Sequence, residues 1–251
     1  MSGFLPDHIG AEVRVSPNFG PRLDVSRASM VILHYTGMRS GELAESWLCD
    51  PASEVSSHYL VHEDGRIVQM VREADRAWHA GKSSWHGQTD INSRSIGIEI
   101  VNPGNLVDHP PFFDAQIEAV IRLCRDICAR QGIRPDHVLA HSDVAPGRKI
   151  DPGPAFPWEV LAAAGIGAMP CVDAWPDAAP IAPEDTGECV ERLQYMLQMC
   201  GYGIEINGVF DASTKAVVEA FQLHFRRAKA DGVADAETQA LLAAMLTPAV
   251  S

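Results

Sequence analysis

Two of the ten histidines stand where folds commonly place chemistry. His34 ends the apolar run Met30-Val-Ile-Leu-His34, and His141 ends Val138-Leu-Ala-His141. Each run reads as a short buried strand, and open α/β sheets present functional side chains at the C-terminal ends of their strands. Asp151 follows His141 by ten residues, inside the stretch His141–Trp158, which is rich in Pro and Gly. Such a stretch predicts a rigid irregular loop, able to fold Asp151 back toward His141. Two imidazoles and a carboxylate, with a fourth position for water, suit a catalytic zinc. Histidine is also often a partly buried packing residue, and spacing alone leaves both readings open.

The elements that must position these groups are legible as periodicity. His58-Tyr-Leu-Val61 and Arg66-Ile-Val-Gln-Met70 flank Glu63-Asp64-Gly65, a hairpin signal. Ser95-Ile-Gly-Ile-Glu-Ile-Val101 alternates, which sets Glu99 on one face with Gly97 and Val101, opposite Ile96, Ile98 and Ile100. From Asp114, Ile117, Val120, Ile121, Cys124 and Cys128 recur at helical spacing; Asp114 can cap that helix and Gly132 can end it. The expected fold class is α/β, a mixed central sheet flanked by helices.

Toward the C-terminus the pattern changes. Between about Gly165 and Gly187 four prolines and many Ala and Asp residues carry no sustained period, as in a linker. Beyond it, three short helical stripes follow: Val190, Leu193, Leu197 and Cys200; Val217, Phe221 and Phe225; Leu241, Leu242 and Met245. Asp235 is a plausible cap for the third. The expected division is a catalytic domain over 1–165, a linker over 166–186 and a small three-helix all-α domain over 187–251.

Composition narrows the partners. With 33 Asp+Glu against 20 Lys+Arg, the net charge is -13. The acidic excess is present in both segments, which argues against nucleic acid or an anionic membrane as the main partner. No apolar run reaches the roughly 18 residues of a membrane span. None of the six cysteines forms a C-x-x-C pair, so a thiolate zinc site is not expected. The N-terminus lacks the basic and apolar regions of a secretory leader, so a cytoplasmic location is expected, with the periplasm or envelope as the alternative.

Four segments, in order, resemble the AmpD-like zinc-dependent N-acetylmuramoyl-L-alanine amidases, relatives of the peptidoglycan recognition proteins. They are Val31-Ile-Leu-His-Tyr-Thr36; Val55-Ser-Ser-His-Tyr-Leu-Val61 with Asp64-Gly-Arg-Ile-Val-Gln69; Arg76-Ala-Trp-His-Ala-Gly81 with Ser95-Ile-Gly-Ile-Glu99; and the loop His141–Trp158. The loop is the most specific, because the ligand His, the Lys-x-Asp pair and Pro-Gly-Pro recur together. The resemblance implies one zinc held by His34, His141 and Asp151, with Glu99 and Lys149 as the catalytic pair. Glu99 would move the proton of the attacking water, and Lys149 would stabilise the developing oxyanion. Some members carry Tyr immediately before a His where this chain has Ser57-His58; Ser57 leaves Glu99 as the candidate base. Trp78 and His79 are expected to line the substrate groove, with a structural role as the alternative for His79. His58 either orients a ligand or packs in the sheet, and Trp85 and Trp158 either stack on sugars or pack in the core. The remaining histidines, His224 among them, are read as surface or packing residues.

The C-terminal segment resembles the three-helix peptidoglycan-binding domain, through Val190-Glu-Arg-Leu-Gln194, Asn207-Gly-Val-Phe-Asp211, Thr214–Gln222 and Asp231-Gly232 followed by Thr238. The implied activity is hydrolysis of the amide between N-acetylmuramic acid, 1,6-anhydro forms included, and L-alanine of the stem peptide. The competing reading is a muropeptide-binding or sensing protein that does not cut. The implied partner is peptidoglycan or soluble muropeptides. A wall-binding segment favours wall-attached chains, whereas the N-terminal reading favours soluble fragments, and the two signals conflict.

Overall fold

The structure, a computed structural model, describes residues 4–172, 174–175 and 177–247. The chain packs as two units. The first holds the residues up to Lys82, Asp90–His141 and Asp151–Ala168; the second holds Ser83–Thr89, Ser142–Ile150 and the residues from Met169 on.

The first unit contains strands β1 (Glu12–Val13), β2 (Phe19–Pro21), β3 (Met30–Tyr35), β4 (Tyr59–Val61), β5 (Ile67–Gln69), β6 (Asp75–Ala77), β7 (Ser95–Ile100) and β8 (Val138–Ala140). Six form a mixed sheet in the order β1-β5-β4-β7-β3-β8, and β2 pairs with β6 in a separate ribbon. The hairpin reading is observed: β4 and β5 are antiparallel, and Gly65 turns between them at φ +84°, a conformation cheap only for glycine. The central strands β4, β7, β3 and β8 are parallel neighbours. Every residue of β3 from Met30 to His34 is buried, as expected where both faces of a parallel sheet are covered.

The covering helices are α1 (Gly41–Leu48), the short α2 (Ile91–Arg94), α3 (Asp114–Gln131) and α5 (Trp158–Ala163); α4 (His141–Val144) carries the chain from the first unit into the second. α3 follows its apolar stripe, with one shift: Leu123 and Ile127 take inner positions, while Ile121 is half-buried. Asp114 is the first helical residue and not the cap; the cap is Phe113, without a side-chain bond. Asp114 still places negative charge where the helix dipole favours it. Gly132 ends the helix in the left-handed conformation, as expected. The Gln116 side chain, buried on α3, donates to the carbonyls of Val101 and Val61 and so ties the helix to the ends of β7 and β4.

The second unit contains α6 (Glu188–Cys200), α7 (Ala212–Phe225) and α8 (Ala236–Leu246). Between Ala164 and Gly187 the described residues form no helix or strand, apart from isolated bridges of Ile181 to Ala234 and of Thr186 to Val209. Two buried glutamines organise the turns in the same way. Gln194 accepts from Gly208 N and donates to the Val209 carbonyl and Thr214. Gln222 accepts from Gly232 N and donates to the Val233 carbonyl and Thr238. The sequence carries this repeat as Gly208-Val-Phe-Asp-Ala-Ser-Thr214 and Gly232-Val-Ala-Asp-Ala-Glu-Thr238. In each copy the Asp, Asp211 or Asp235, caps the following helix by accepting from the Thr N–H, satisfying one orphan donor.

Candidate metal centre

The sheet order brings the candidate ligands together. β8 lies beside β3 with Ala140 opposite Leu33, so His141, the next residue, leaves β8 at the level of His34. Asp151 returns at the end of the following loop. His34 Nδ1, His141 Nδ1 and Asp151 Oδ2 lie 2.9 Å from one another in all three pairs, and all three residues are buried. On the other flank of β3, Glu99 of β7 pairs in register with His34. Residues in register on adjacent parallel strands point to the same face, so Glu99 is directed to the side of the sheet that carries His34.

The donor set suits a metal ion. A triangle with 2.9 Å edges has its centre about 1.7 Å from each corner, inside the roughly 2.0–2.2 Å bonds of zinc to nitrogen and oxygen. Hydrogen-bond direction fixes which ring nitrogens face it. His141 Nε2 lies 3.1 Å from the Ala80 carbonyl, which can only accept, so Nε2 carries the proton. For His34 the same result comes through a relay. Ser95 Oγ donates to the Ile91 carbonyl at 2.6 Å, leaving its lone pairs for His79 Nε2–H at 3.2 Å. His79 Nδ1 then accepts from His34 Nε2–H at 3.0 Å. Both neutral rings therefore direct Nδ1 lone pairs at the point that a carboxylate oxygen also faces. Three lone pairs at this range repel one another unless a cation lies among them, and outward hydrogen bonds of this kind orient histidine metal ligands.

Charge agrees. Burial works to raise the pKa of Asp151, but the adjacent His141 and His34 rings hold it well below the usual carboxylate range, so Asp151 is the anionic member of the triangle. Burial, with the neighbouring His34, His58 and His141 rings, pushes His79 well below the usual imidazole range, which keeps it neutral. Neutral histidines and one carboxylate give the centre a single negative charge. A dication bound there keeps a net positive charge, which favours acidification of a water molecule.

Gly97 explains why β7 carries a glycine beneath this relay. A Cβ there would lie 2.5 Å from His79 Cγ. His58 packs in the sheet. Its Nδ1 accepts from Gly97 N–H at 3.0 Å, and its Nε2 lies 3.1 Å from the Asp75 carbonyl. Its ring meets that of His79 edge-on, with centroids 5.8 Å apart.

Burial, then the charge of Arg22, lowers the His58 pKa from 6.5 to about 3. Between these values the unfolded chain binds a proton that the folded chain does not. This contribution to stability is therefore complete above pH 6.5 and is lost as pH falls toward 3. The expected slope is about 1.4 kcal/mol per pH unit. Urea-unfolding free energies measured from about pH 7 to pH 4 on the native chain and on His58→Asn check this, the variant losing about one proton's worth of slope. Equal slopes would rule it out.

The other candidates are placed as follows. Trp78 and His79 are half-buried; Trp78 pairs its backbone with Ser56, while the His79 ring joins the relay. Lys149 is exposed on the 142–150 loop, its N–H bonded to the Ala145 carbonyl. Trp85 and Trp158 are both buried in cores, Trp158 edge-on to Phe156, so neither has a face open for stacking on a sugar.

Two further residues bear on the centre, Ser95 through the relay and Tyr35 through the field of Asp151. Ser95 opens the β7 motif, and its type alone carries no signal. Tyr35 directly follows His34, and burial, then the negative charge of Asp151, and more weakly that of Glu99, raise the pKa of its phenol. It is therefore a protonated hydroxyl within electrostatic reach of Asp151 and Glu99. Adjacency to His34 was the signal that could have found it.

Comparison with known proteins is consistent with this geometry. The N-acetylmuramoyl-L-alanine amidase family matches residues 24–154, and the peptidoglycan binding domain family matches residues 186–242. The chain is 41% identical to the N-acetylmuramoyl-L-alanine amidase AmiD of Escherichia coli strain K12, over 88% of this chain and 83% of the relative. It is similar to the solved complex of AmiD from E. coli with anhydro-N-acetylmuramic acid-L-Ala-D-gamma-Glu-L-Lys, at TM-score 0.73 and 40% identity, covering 93% of this chain and 92% of that one. It is also similar to AmpDh3 from Pseudomonas aeruginosa in complex with anhydromuramic pentapeptide, at TM-score 0.71 and 32% identity, covering 92% and 94%.

Proposed function

The chain belongs to the N-acetylmuramoyl-L-alanine amidase family, and from that premise we propose a zinc-dependent hydrolase in which His34, His141 and Asp151 hold one metal ion. It cleaves the amide between N-acetylmuramic acid, 1,6-anhydro forms included, and L-alanine of the stem peptide. The observation that carries this reading is the buried 2.9 Å triangle of two oriented imidazoles and a carboxylate, with Glu99 in register with His34. The anhydro substrate is supported by the ligands named for the AmiD and AmpDh3 complexes.

Zinc, when bound, polarises a carbonyl and lowers the pKa of a water toward about 7. Glu99 takes the proton of the attacking water and passes it to the leaving amine. Lys149, two residues before Asp151 in the chain, places an ammonium at the oxyanion that develops on the scissile carbonyl. Trp78 contacts the substrate; His79 orients His34. Residues 1–165 supply catalysis, 166–186 form the linker and 187–251 bind peptidoglycan, while 83–89 and 142–150 fold with the helical segment. No described helix is long and apolar enough to cross a membrane.

The test is elemental analysis of the purified chain, together with chelator-sensitive release of stem peptide. Anhydro-muropeptides, reducing-end muropeptides and intact sacculi are the substrates. One zinc per chain with release from the anhydro form is expected. One zinc with no release from any of the three would favour the sensing reading.

A further inference from the structure

The helical segment of the second unit does more than present a binding surface. Asp143 lies in α4, at the start of the 142–150 segment, with its side chain 1% exposed, and each carboxylate oxygen has its own partner. Tyr202 donates its hydroxyl to Oδ1 at 2.8 Å from just beyond α6, and His224 of α7 lies with Nδ1 2.7 Å from Oδ2. The same loop is tied at Val144, whose carbonyl accepts from Ser84 N–H at 2.9 Å. At Gly147 an added Cβ would lie 3.0 Å from Cβ of Ala216 on α7. Tyr202 is itself fixed by Trp85, whose ring meets it edge-on at 5.0 Å.

This loop has one chemical distinction. The residue before it is His141 and the residue after it is Asp151, so two of the three candidate ligands are its covalent neighbours. Lys149 lies within it. A nine-residue segment with one proline and one glycine keeps conformational freedom unless its polar groups are held. Functional constellations, by contrast, need their groups kept within about 0.5 Å. A buried carboxylate bound by a tyrosine that follows one helix and a histidine on the next is a strong restraint, because releasing either partner leaves the buried charge less well compensated.

We propose that Tyr202 and His224 are positioning residues: through Asp143 they hold the 142–150 loop, and thereby the spacing of His141 and Asp151 and the placement of Lys149. The peptidoglycan-binding segment then has a second role in preorganising the metal centre. The inference rests on the zinc amidase reading above.

The test uses the full chain carrying Tyr202→Phe, His224→Leu, both together, or His224→Asn. Phenylalanine keeps the ring packing against Trp85 and loses only the hydroxyl. Asparagine keeps a donor near the position of Nδ1. Thermal melts identify a temperature at which every variant is folded. At that temperature, zinc affinity by chelator competition, kcat and KM on a soluble anhydro-muropeptide, and binding to sacculi are measured.

In the double variant, zinc affinity is expected to fall about 10–100-fold and kcat to fall with it, KM and sacculus binding staying near native values. His224→Asn is expected to recover most of the loss. A folded double variant with zinc affinity and kcat within about twofold of native would overturn the proposal. So would a lower melting temperature with unchanged zinc affinity, which marks a role in stability alone. Zinc affinity is read whether or not peptide is released, so a native chain that binds zinc and cleaves nothing would fault the amidase reading separately.

Discussion

Asp151→Ala is expected to lose stoichiometric zinc and at least about 10⁴ of the turnover of anhydro-muropeptide, because the water nucleophile then reverts toward its bulk acidity. The variant removes the only anionic member of the triangle. His34 and His141 remain as neutral donors, and a dication bound by two imidazoles alone keeps less compensation for its dehydration. Elemental analysis after dialysis, beside initial rates, checks the result. Full zinc and full activity would exclude Asp151 as a ligand.

Relay variants should give a graded result in the same assay. His79→Leu removes the acceptor that holds the proton on His34 Nε2, and zinc affinity is expected to fall about 10–100-fold. Ser95→Ala leaves His79 without its acceptor on the far side and is expected to have a smaller effect in the same direction. Nitrogen NMR shifts of the His34 ring separate loss of the fixed tautomer from simple loosening of the fold. An unchanged His34 tautomer in His79→Leu would remove His79 from the orienting role.

Glu99→Gln is expected to keep its zinc and lose about 10²–10⁴ of kcat. The amide matches the carboxylate in shape but cannot accept the proton of the attacking water or return it to the leaving amine. Glu99 is not a corner of the donor triangle, so metal content should stay at one per chain. A variant with full zinc and full kcat would move the base elsewhere. Concurrent loss of zinc would instead make Glu99 part of the metal's surroundings. Its register with His34 makes the distinction measurable, since one strand pairing places both side chains on the same face.

Much of this was legible before any coordinate. Apolar runs end at His34 and His141, and the hairpin around Gly65, the alternation of β7 and the Gly132 stop all rest on interactions within a few residues. Such signals survive because periodicity and backbone conformation are local properties. The repeated Gly-Val-x-Asp-Ala-x-Thr was present in the letters as well, although its meaning, a buried glutamine bonded to each turn, required the fold. Local signals misled at Asp114, whose type suits a cap but whose place is one residue inside the helix. They were silent on His224, which reads as one of several unremarkable histidines and is buried beside Asp143.

The sequence by itself determined the kinds of donor, their order along the chain and the strands that end in them. Periodicity reports which face of an element is buried, and motif resemblance reports which residue types recur together. Neither reports what a buried side chain meets. Only the tertiary structure decided that β7, β3 and β8 are neighbours, which sets Glu99 and His141 on either side of His34. Only it aligned Ile91, Ser95, His79 and His34 into a relay with one hydrogen-bond direction, and bound Asp143 to Tyr202 and His224 across 59 and 81 residues. Hydrogen bonds act over about 3 Å, so partners that far apart in sequence are chosen by packing, and so are the tautomer and the loop position that the chemistry needs.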